Sequence, residues 1–219
     1  MGLDSESADE DALIRRAVAN DRGALAVLFQ RHRKRLRQMV RLRLDRRLQG
    51  RVDPSDVLQE AFLDLAEKLP EYASQRSEIP LFLWLRLVTG ERLLRIHRQH
   101  LGTAMRDAGR EVSLHRGALP QASSVSLAAQ LLGRFTSASQ AIIRVEVQLQ
   151  LQQALNGMEP ADREIIALRH FEELSNAEAA TVLGISPQAA SNRHLRAMTR
   201  LQAILKSIPG LLDRANGRI

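Results

Sequence analysis

Residues 175–200 read SNAEAATVLGISPQAASNRHLRAMTR and contain the signals of two helices joined by a tight turn. Ser175 and Glu178 have the spacing of a capping box, in which a hydroxyl and a carboxylate together begin a helix. Gly184 follows the first apolar run and favours the left-handed conformation that ends a helix. Ser186-Pro187 then supplies a cap and a first-turn proline for a second helix. Together these signals predict a helix-turn-helix.

The second helix of this motif has the chemistry of a DNA-reading element. Its early side chains would face the major groove, where Gln and Asn bond adenine edges and Arg bonds guanine or phosphate. Between Ser186 and Lys206 there are four basic residues and no acidic one. An ordinary helical hairpin in a bundle is the alternative, and the one-sided charge favours DNA binding. The candidate DNA-contacting residues are Pro187, Gln188, Ser191, Asn192, Arg193 and Arg196.

Composition sets the class of the whole chain. Its 219 residues include 32 Lys or Arg and 25 Asp or Glu, a net charge of +7 that suggests a polyanionic partner. Aromatic residues make up only 3%, which favours helices over sheets. No cysteine is present, so disulfides and thiolate chemistry are excluded. No apolar run is long enough for a membrane span, and the acidic start is not a secretion signal, so we expect a cytoplasmic protein without membrane insertion.

The apolar spacing predicts an all-α fold of two small helical domains joined by a flexible linker. Glycine, proline and serine become frequent after His100, which marks the linker, with one short helix at Ser126–Leu132. A helix from Val57 is predicted to end at Leu69-Pro70, before a loop up to Pro80. The predicted organisation is a disordered acidic tail at 1–11, a domain at 12–100, the linker at 101–138, a domain at 139–208 and a tail at 209–219.

The first domain carries two basic stretches. Residues 31–51 hold ten Arg or Lys side chains and one acid, which favours an electrostatic role over a merely solvated face. A second stretch follows Trp84, and Tyr72 lies shortly before it. Aromatic rings beside positive charge suit unstacked bases of single-stranded nucleic acid, although burial of Trp84 in the core is equally compatible with the sequence.

Acidic and amide side chains follow on one helix from Asp53 to Asp64. One face of this helix could pack inward while the other binds a protein, and a plain solvated surface is the alternative. No nucleophile or phosphate loop accompanies the carboxylates, so we expect no enzyme activity. His97 and His100 have the spacing of a metal pair but lack a third ligand, so we expect neither metal nor cofactor.

The order of these motifs resembles the extracytoplasmic-function (ECF) sigma factors of bacterial RNA polymerase. Residues 53–62, DPSDVLQEAF, resemble the D-x-x-D-L/V-x-Q-E pattern of sigma region 2, and LFLWLR at 81–86 resembles the F-x-x-W-L stretch that follows it. Residues 159–169 and 175–200 resemble region 4. The start of the second helix, QAASNR at 188–193, resembles the planctomycete-type subgroup.

The resemblance implies a promoter-specificity subunit that binds core RNA polymerase, through the clamp helices of its largest subunit and its flap region, and promoter DNA. It leaves room for an anti-sigma factor as a further partner. The candidate DNA-contacting residues of the second helix would contact the minus-thirty-five element. The residues that the resemblance places near the minus-ten element are Tyr72, Ser74, Arg76, Trp84, Arg86, Arg92 and Arg95. Those implied to bind polymerase are Asp53, Asp56, Leu58, Gln59, Glu60, Phe62 and Asp64.

Two other functions fit the residues without the resemblance. A stand-alone helix-turn-helix regulator would use its N-terminal half to sense a ligand or to dimerise. An all-helical hydrolase or adaptor would not bind nucleic acid at all, and its behaviour would then be insensitive to salt.

Overall fold

A computed structural model describes residues 3–74, 79–101, 119–135, 141–208 and 211 of the chain. These residues form α-helices and short helical turns with no β-strand among them, which confirms the predicted all-α class. The chain divides into two compact units, Met1–Leu114 and His115–Ile219, each with its own buried core. Within the described ranges, no helix combines the length and the apolar character that a membrane crossing requires.

The described part of unit 1 contains four α-helices. Helix α2 begins where the Asp21 carboxylate accepts a hydrogen bond from the backbone N–H of Ala24 at 3.1 Å. Helices α2, α3 and α4 pack against one another, and α1 lies on α2 and α3. Their apolar faces form a core that includes fully buried Leu36 and Met39. The bounds are α1 Leu3–Val18, α2 Arg22–Arg43, α3 Pro54–Ser74 and α4 Leu81–Leu101, with a 3-10 turn at Arg46–Leu48.

Helix α3 continues past the proline at which we predicted it to end. It runs through Pro70 to Ser74, although proline lacks the N–H that an interior turn uses. Burial of Tyr72 offsets this cost, because its ring stacks on Trp84 with centroids 4.5 Å apart and its hydroxyl donates to the carbonyl of Ile79 at 3.1 Å. The predicted helix end was therefore wrong, and both aromatic rings belong to the core.

The acidic N-terminus also differs from the prediction. Helix α1 begins at Leu3, so residues 3–11 are helical where we predicted a disordered tail. Asp9 forms an ion pair with Arg31 of α2, which ties this acidic segment to the first of the basic residues in the run 31–51. Packing on α2 and α3 supplies the tertiary support that a short helix needs, and composition alone could not reveal it.

Unit 2 holds the remaining described helices. Helix α7 passes directly into a π-helical segment, which widens the last turn before α8. Helix α9 contacts α6, α7 and α8. The bounds are α5 Ser124–Phe135, α6 Ala141–Asn156, α7 Pro160–Ile166, the π segment Ala167–Phe171, α8 Asn176–Leu183 and α9 Pro187–Ser207.

Part of the predicted linker is a packed helix. Helix α5 is longer than the short helix predicted at 126–132, and its Leu127 and Leu132 side chains are fully buried. The backbone N–H of Ala122, just before α5, donates to the carboxylate of Glu164 in α7 at 2.8 Å. This segment is therefore part of unit 2 rather than a tether. Residues 102–118 and 136–140, also in the predicted linker, lie outside the described residues.

His97 has a structural role in unit 1. Its Nε2 accepts a hydrogen bond from the backbone N–H of Asp45 at 3.2 Å, which requires the unprotonated nitrogen. Burial lowers the pKa of His97, the nearby Asp45 carboxylate opposes this, and the Arg47 guanidinium adds to it. Among the described residues, no group of three or more His, Cys, Asp or Glu side chains could hold a metal ion.

The lowered pKa of His97 predicts a pH dependence of stability. The ordinary value is 6.5, so the unfolded chain takes up the proton first as the pH falls. The contribution of His97 to the free energy of unfolding should be constant above pH 6.5. It should decline as the pH falls from 6.5 to the folded pKa, below which both states carry the proton. His97→Gln keeps an acceptor without titrating, so its decline should be shallower. Fluorescence of Trp84, the single tryptophan, measures unfolding of unit 1 in urea between about pH 5 and pH 8.

His100 provides the matched control, because it is exposed on the same helix. His100→Gln should keep the wild-type pH dependence. A wild-type slope in His97→Gln would show that this imidazole does not couple protons to folding.

Candidate nucleic-acid interface

The two helices of the predicted helix-turn-helix are α8 and α9, and local hydrogen bonds define their ends. The N–H of Glu178 donates to Ser175 Oγ at 3.2 Å, and the N–H of Ser175 donates to the Glu178 carboxylate at 2.7 Å. Gly184 adopts φ 63°, the left-handed conformation, and ends α8. Ser186 Oγ then accepts from the N–H of Ala189 at 3.1 Å and begins α9. The capping signals in the sequence therefore match the structure.

Small side chains hold α8 against α9. Ala179 and Ala180 of α8 and Ala190 of α9 are at most 2% exposed, so the helices meet through methyl groups. The Asn176 side-chain amide donates to the carbonyl of Pro187 at 2.8 Å and joins the starts of the two helices. This close contact fixes the direction in which α9 points.

The outward face of α9 carries most of the predicted DNA-contacting side chains. The side-chain amide of Gln188 donates to Asn192 Oδ1 at 3.3 Å, so these two amides are held side by side. Arg193 is half-buried and lies nearer the core. The predicted residues that are exposed are Pro187, Gln188, Ser191, Asn192 and Arg196.

Sequence reasoning missed one residue on this face. Leu195 is 69% exposed and lies three residues after Asn192 and seven after Gln188, spacings that place all three on one side of a helix. Helical periodicity could have identified it, but an apolar residue is normally assigned to a core-facing position. The face is therefore polar at its start and apolar one turn later.

The opposite side of α9 is attached to the rest of unit 2. Arg200 forms a salt bridge of 2.5 Å with the buried carboxylate of Asp162 in α7. The Nε2 atoms of His194 in α9 and His170 in the π segment lie 2.8 Å apart, and the two rings stack. Burial lowers the pKa of His194, and the charge of Arg169 lowers it further. Arg200 and His194 therefore stabilise the motif rather than face a ligand.

In unit 1, the structure separates the residues implied near the minus-ten element. Tyr72, Trp84 and Arg86 are buried, at 5%, 7% and 6% exposure, so they do not form an open stacking surface. Ser74 is exposed at the end of α3. Arg76 lies outside the described residues.

Arg92 and Arg95, predicted to lie near DNA, instead share one carboxylate. Both guanidinium groups bond Asp64, whose side chain is 10% exposed, and the Nε of Arg92 donates to it at 2.8 Å. Arg92 also approaches the Glu60 carboxylate at 3.3 Å. The hydrogen bond to Asp64 raises the pKa of Arg92. This network joins α3 to α4, so Asp64 lies inside the unit rather than on the predicted polymerase-binding face.

Four of the remaining residues implied to bind polymerase line a groove between α2 and α3: Leu58, Gln59, Glu60 and Phe62. The groove has a volume of about 540 Å³, and Gln59 and Glu60 are exposed at its edge. Phe62 contacts Phe29 edge to face, with ring centroids 5.3 Å apart, and Leu58 of the same groove is buried. At the start of α3, the backbone N–H of Ser55 lowers the pKa of exposed Asp53, and exposed Asp56 lies in the same turn.

Several residues of the basic run 31–51 are used inside unit 1. The guanidinium carbon of Arg35 lies 3.4 Å from the ring centroid of Phe82, a cation–π contact. Arg43 is buried, and Arg47 bonds the carboxylate two residues before it at 2.9 Å. Only part of the positive charge of this run is therefore available to a partner.

Comparisons with known proteins agree with this geometry. A family model described as sigma-70, region 4 matches residues 148–201, which include α8 and most of α9. The RNA polymerase sigma factor NccH of Alcaligenes xylosoxydans xylosoxydans is 28% identical over 200 residues, which cover 90% of this chain and 95% of that protein. A solved structure of CnrH in complex with the cytosolic domain of CnrY has a similar fold, with a TM-score of 0.54 and 22% identity, covering 91% of this chain and 98% of that one.

The left-handed conformation of Gly184 predicts a selective effect of substitution. Gly184→Val should destabilise unit 2 by about 1–2 kcal/mol or more, because a β-branched residue at positive φ is strained. Gly184→Asn should lose less, since Asn tolerates this conformation. Thermal unfolding followed by circular dichroism measures the loss. The Trp84 signal of unit 1 is the internal reference, and equal stability of the two variants would contradict the expectation.

Proposed function

We infer that this chain is an RNA polymerase sigma factor of the extracytoplasmic-function type, a subunit that directs transcription initiation. One observation supports this most strongly: residues matched by the region 4 model form a helix-turn-helix whose second helix has an exposed Gln, Asn and Arg face. The relative NccH also matches across nine tenths of the chain, including unit 1. A stand-alone regulator, the alternative from sequence, is not favoured because it gives no reason for that match.

Unit 2 would bind the minus-thirty-five element as duplex DNA. Gln188 and Asn192 have the donor and acceptor pairs that adenine edges require, and their mutual hydrogen bond limits their freedom before binding. Ser191 would contact a base or phosphate, and Arg196 would neutralise a phosphate at the edge of the groove. Half-buried Arg193 would contact the backbone from the side of α9.

Unit 1 would bind core polymerase through the groove between α2 and α3. Apolar Phe62 and Leu58 line it, while exposed Gln59 and Glu60 offer hydrogen bonds at its edge. Such a surface suits a helical partner that inserts apolar side chains between polar ones. The clamp helices of the largest polymerase subunit are the proposed occupant.

Capture of a minus-ten base would take place at the connection between α3 and α4. The stack of Tyr72 on Trp84 and the bond from the Tyr72 hydroxyl to Ile79 position the two ends of that connection. These aromatic residues would therefore stabilise the segment that binds the base, without contacting the base themselves. Ser74 and Arg76, which lie at or within the connection, would contact the unstacked base.

The remaining roles follow from the family. Polymerase supplies the chemistry of transcription, so the chain has no catalytic residue of its own, and its place of action is the cytoplasm. Because CnrH was solved in complex with the cytosolic domain of CnrY, we propose that a protein of the anti-sigma class also binds this chain. Reconstitution with core polymerase tests the function, and the absence of promoter-dependent initiation would refute it.

Arg196 predicts a measurable change in the salt dependence of DNA binding. Arg196→Ala removes one exposed cation from the DNA-facing side of α9, so the slope of log affinity against log salt should fall by about one unit. Holoenzyme binding to promoter duplex across a salt series measures the slope. Arg200→Ala is the control, because Arg200 is paired with Asp162 and should leave the slope unchanged. Equal slopes in the wild type and Arg196→Ala would exclude a phosphate contact.

The Asp64 network predicts that stability and polymerase affinity can be separated. Asp64→Asn removes the negative charge and replaces one acceptor oxygen with an NH2 donor that faces a guanidinium group, so it should lower the free energy of unfolding of unit 1 by about 1–3 kcal/mol. Its folded fraction should bind polymerase with nearly wild-type affinity. Urea unfolding followed by Trp84 fluorescence, together with titration against core polymerase, measures both quantities.

The groove variants should behave in the opposite way. Gln59→Ala combined with Glu60→Ala alters exposed side chains, so stability should change little while polymerase affinity falls. Unchanged affinity in this double variant would remove the groove from the polymerase interface.

A further inference from the structure

The Leu195 side chain of α9 is exposed and adds little to the stability of the folded chain. This side chain is 69% exposed, on the side of α9 opposite its buried residues Ala190, Ala197 and Leu201. An exposed leucine gains almost nothing from folding, because its apolar surface stays in water. A single exposed leucine is common in proteins, so its surroundings must decide whether it has a ligand.

Those surroundings belong to the DNA-facing side of α9. Asn192 precedes Leu195 by one helical turn, and Arg196 follows it directly. The hydroxyl of Thr199, one turn further on, donates to the carbonyl of Leu195 at 3.0 Å, so its proton is engaged within the helix. Most exposed side chains in the first turns of α9 can form hydrogen bonds with DNA. The Leu195 side chain, in the next turn, can form only an apolar contact.

We propose that Leu195 contacts the C5-methyl group of a thymine in the promoter duplex and thereby contributes to sequence specificity. Of the four bases, only thymine presents a methyl group in the major groove, so an apolar side chain distinguishes it from cytosine. Leu195 lies about 4.5 Å beyond Asn192 along the helix axis, which is close to one base-pair step of about 3.4 Å. The thymine should therefore belong to the base pair next to the one that Asn192 contacts.

This inference rests on the proposed function, and removal of single methyl groups tests it. Holoenzyme formed from core polymerase and the full chain selects duplexes from a random pool, and each thymine of the selected element is then replaced by deoxyuridine. At one thymine the affinity should fall about fourfold, the effect of losing one buried methyl group. A selected element without such a thymine, or with none whose replacement weakens binding, overturns the proposal.

Variants of the chain connect the methyl group to Leu195. Leu195→Ala should bind the thymine and deoxyuridine duplexes with equal affinity, close to that of wild type for deoxyuridine. Val145→Ala is the matched control: Val145 is 70% exposed but lies on α6, outside the helix-turn-helix, so this variant should keep the fourfold discrimination. If Leu195→Ala still discriminates at that position, the proposal is wrong.

The two levels of failure are distinguishable. Selection of no duplex by the holoenzyme would refute the sigma function and this inference together. Selection of a defined element whose affinity does not respond to deoxyuridine would leave the sigma function intact and refute only the role of Leu195.

Discussion

The DNA-facing side of α9 depends on how its opposite side is packed. Ala190 and Ala197 are fully buried, so α9 approaches its neighbours closely, and larger side chains there would push it outward. Gly184 at positive φ provides the tight turn that this approach needs. The salt bridge from Arg200 to Asp162 then fixes the far end of the helix. The orientation of the polar face is therefore set by packing, before any nucleic acid is present.

Charge in unit 1 is divided between internal support and external contact. The composition suggests a large basic surface, yet Arg35 contacts an aromatic ring, Arg43 is buried and Arg92 and Arg95 bond Asp64. A carboxylate that is only 10% exposed needs such partners, because burying it alone would be costly. Net charge therefore indicates a class of partner, and only the structure shows which cations can reach it.

A feature of this fold is predictable from the sequence when the residues that determine it lie close together along the chain. The capping box, Gly184 and Ser186 act within four residues, so the helix-turn-helix was predictable in detail. The helical class followed from composition and spacing. The course of α3 through Pro70 was not predictable, because it depends on stacking of Tyr72 against a ring twelve residues away. The burial of α5 and the internal position of Asp64 likewise arise from contacts between distant segments, which local propensity does not encode.

Each unit has an exposed leucine on the surface that we propose as its binding site. Leu63 lies at the groove between α2 and α3, beside Phe62, and Leu195 lies among the polar residues of α9. Neither is covered in the folded chain, and both occupy surfaces that the proposed complex would cover. An apolar group whose burial is delayed until binding contributes to affinity rather than to folding stability. The polar neighbours then supply geometry, because a hydrogen bond is directional and an apolar contact is not.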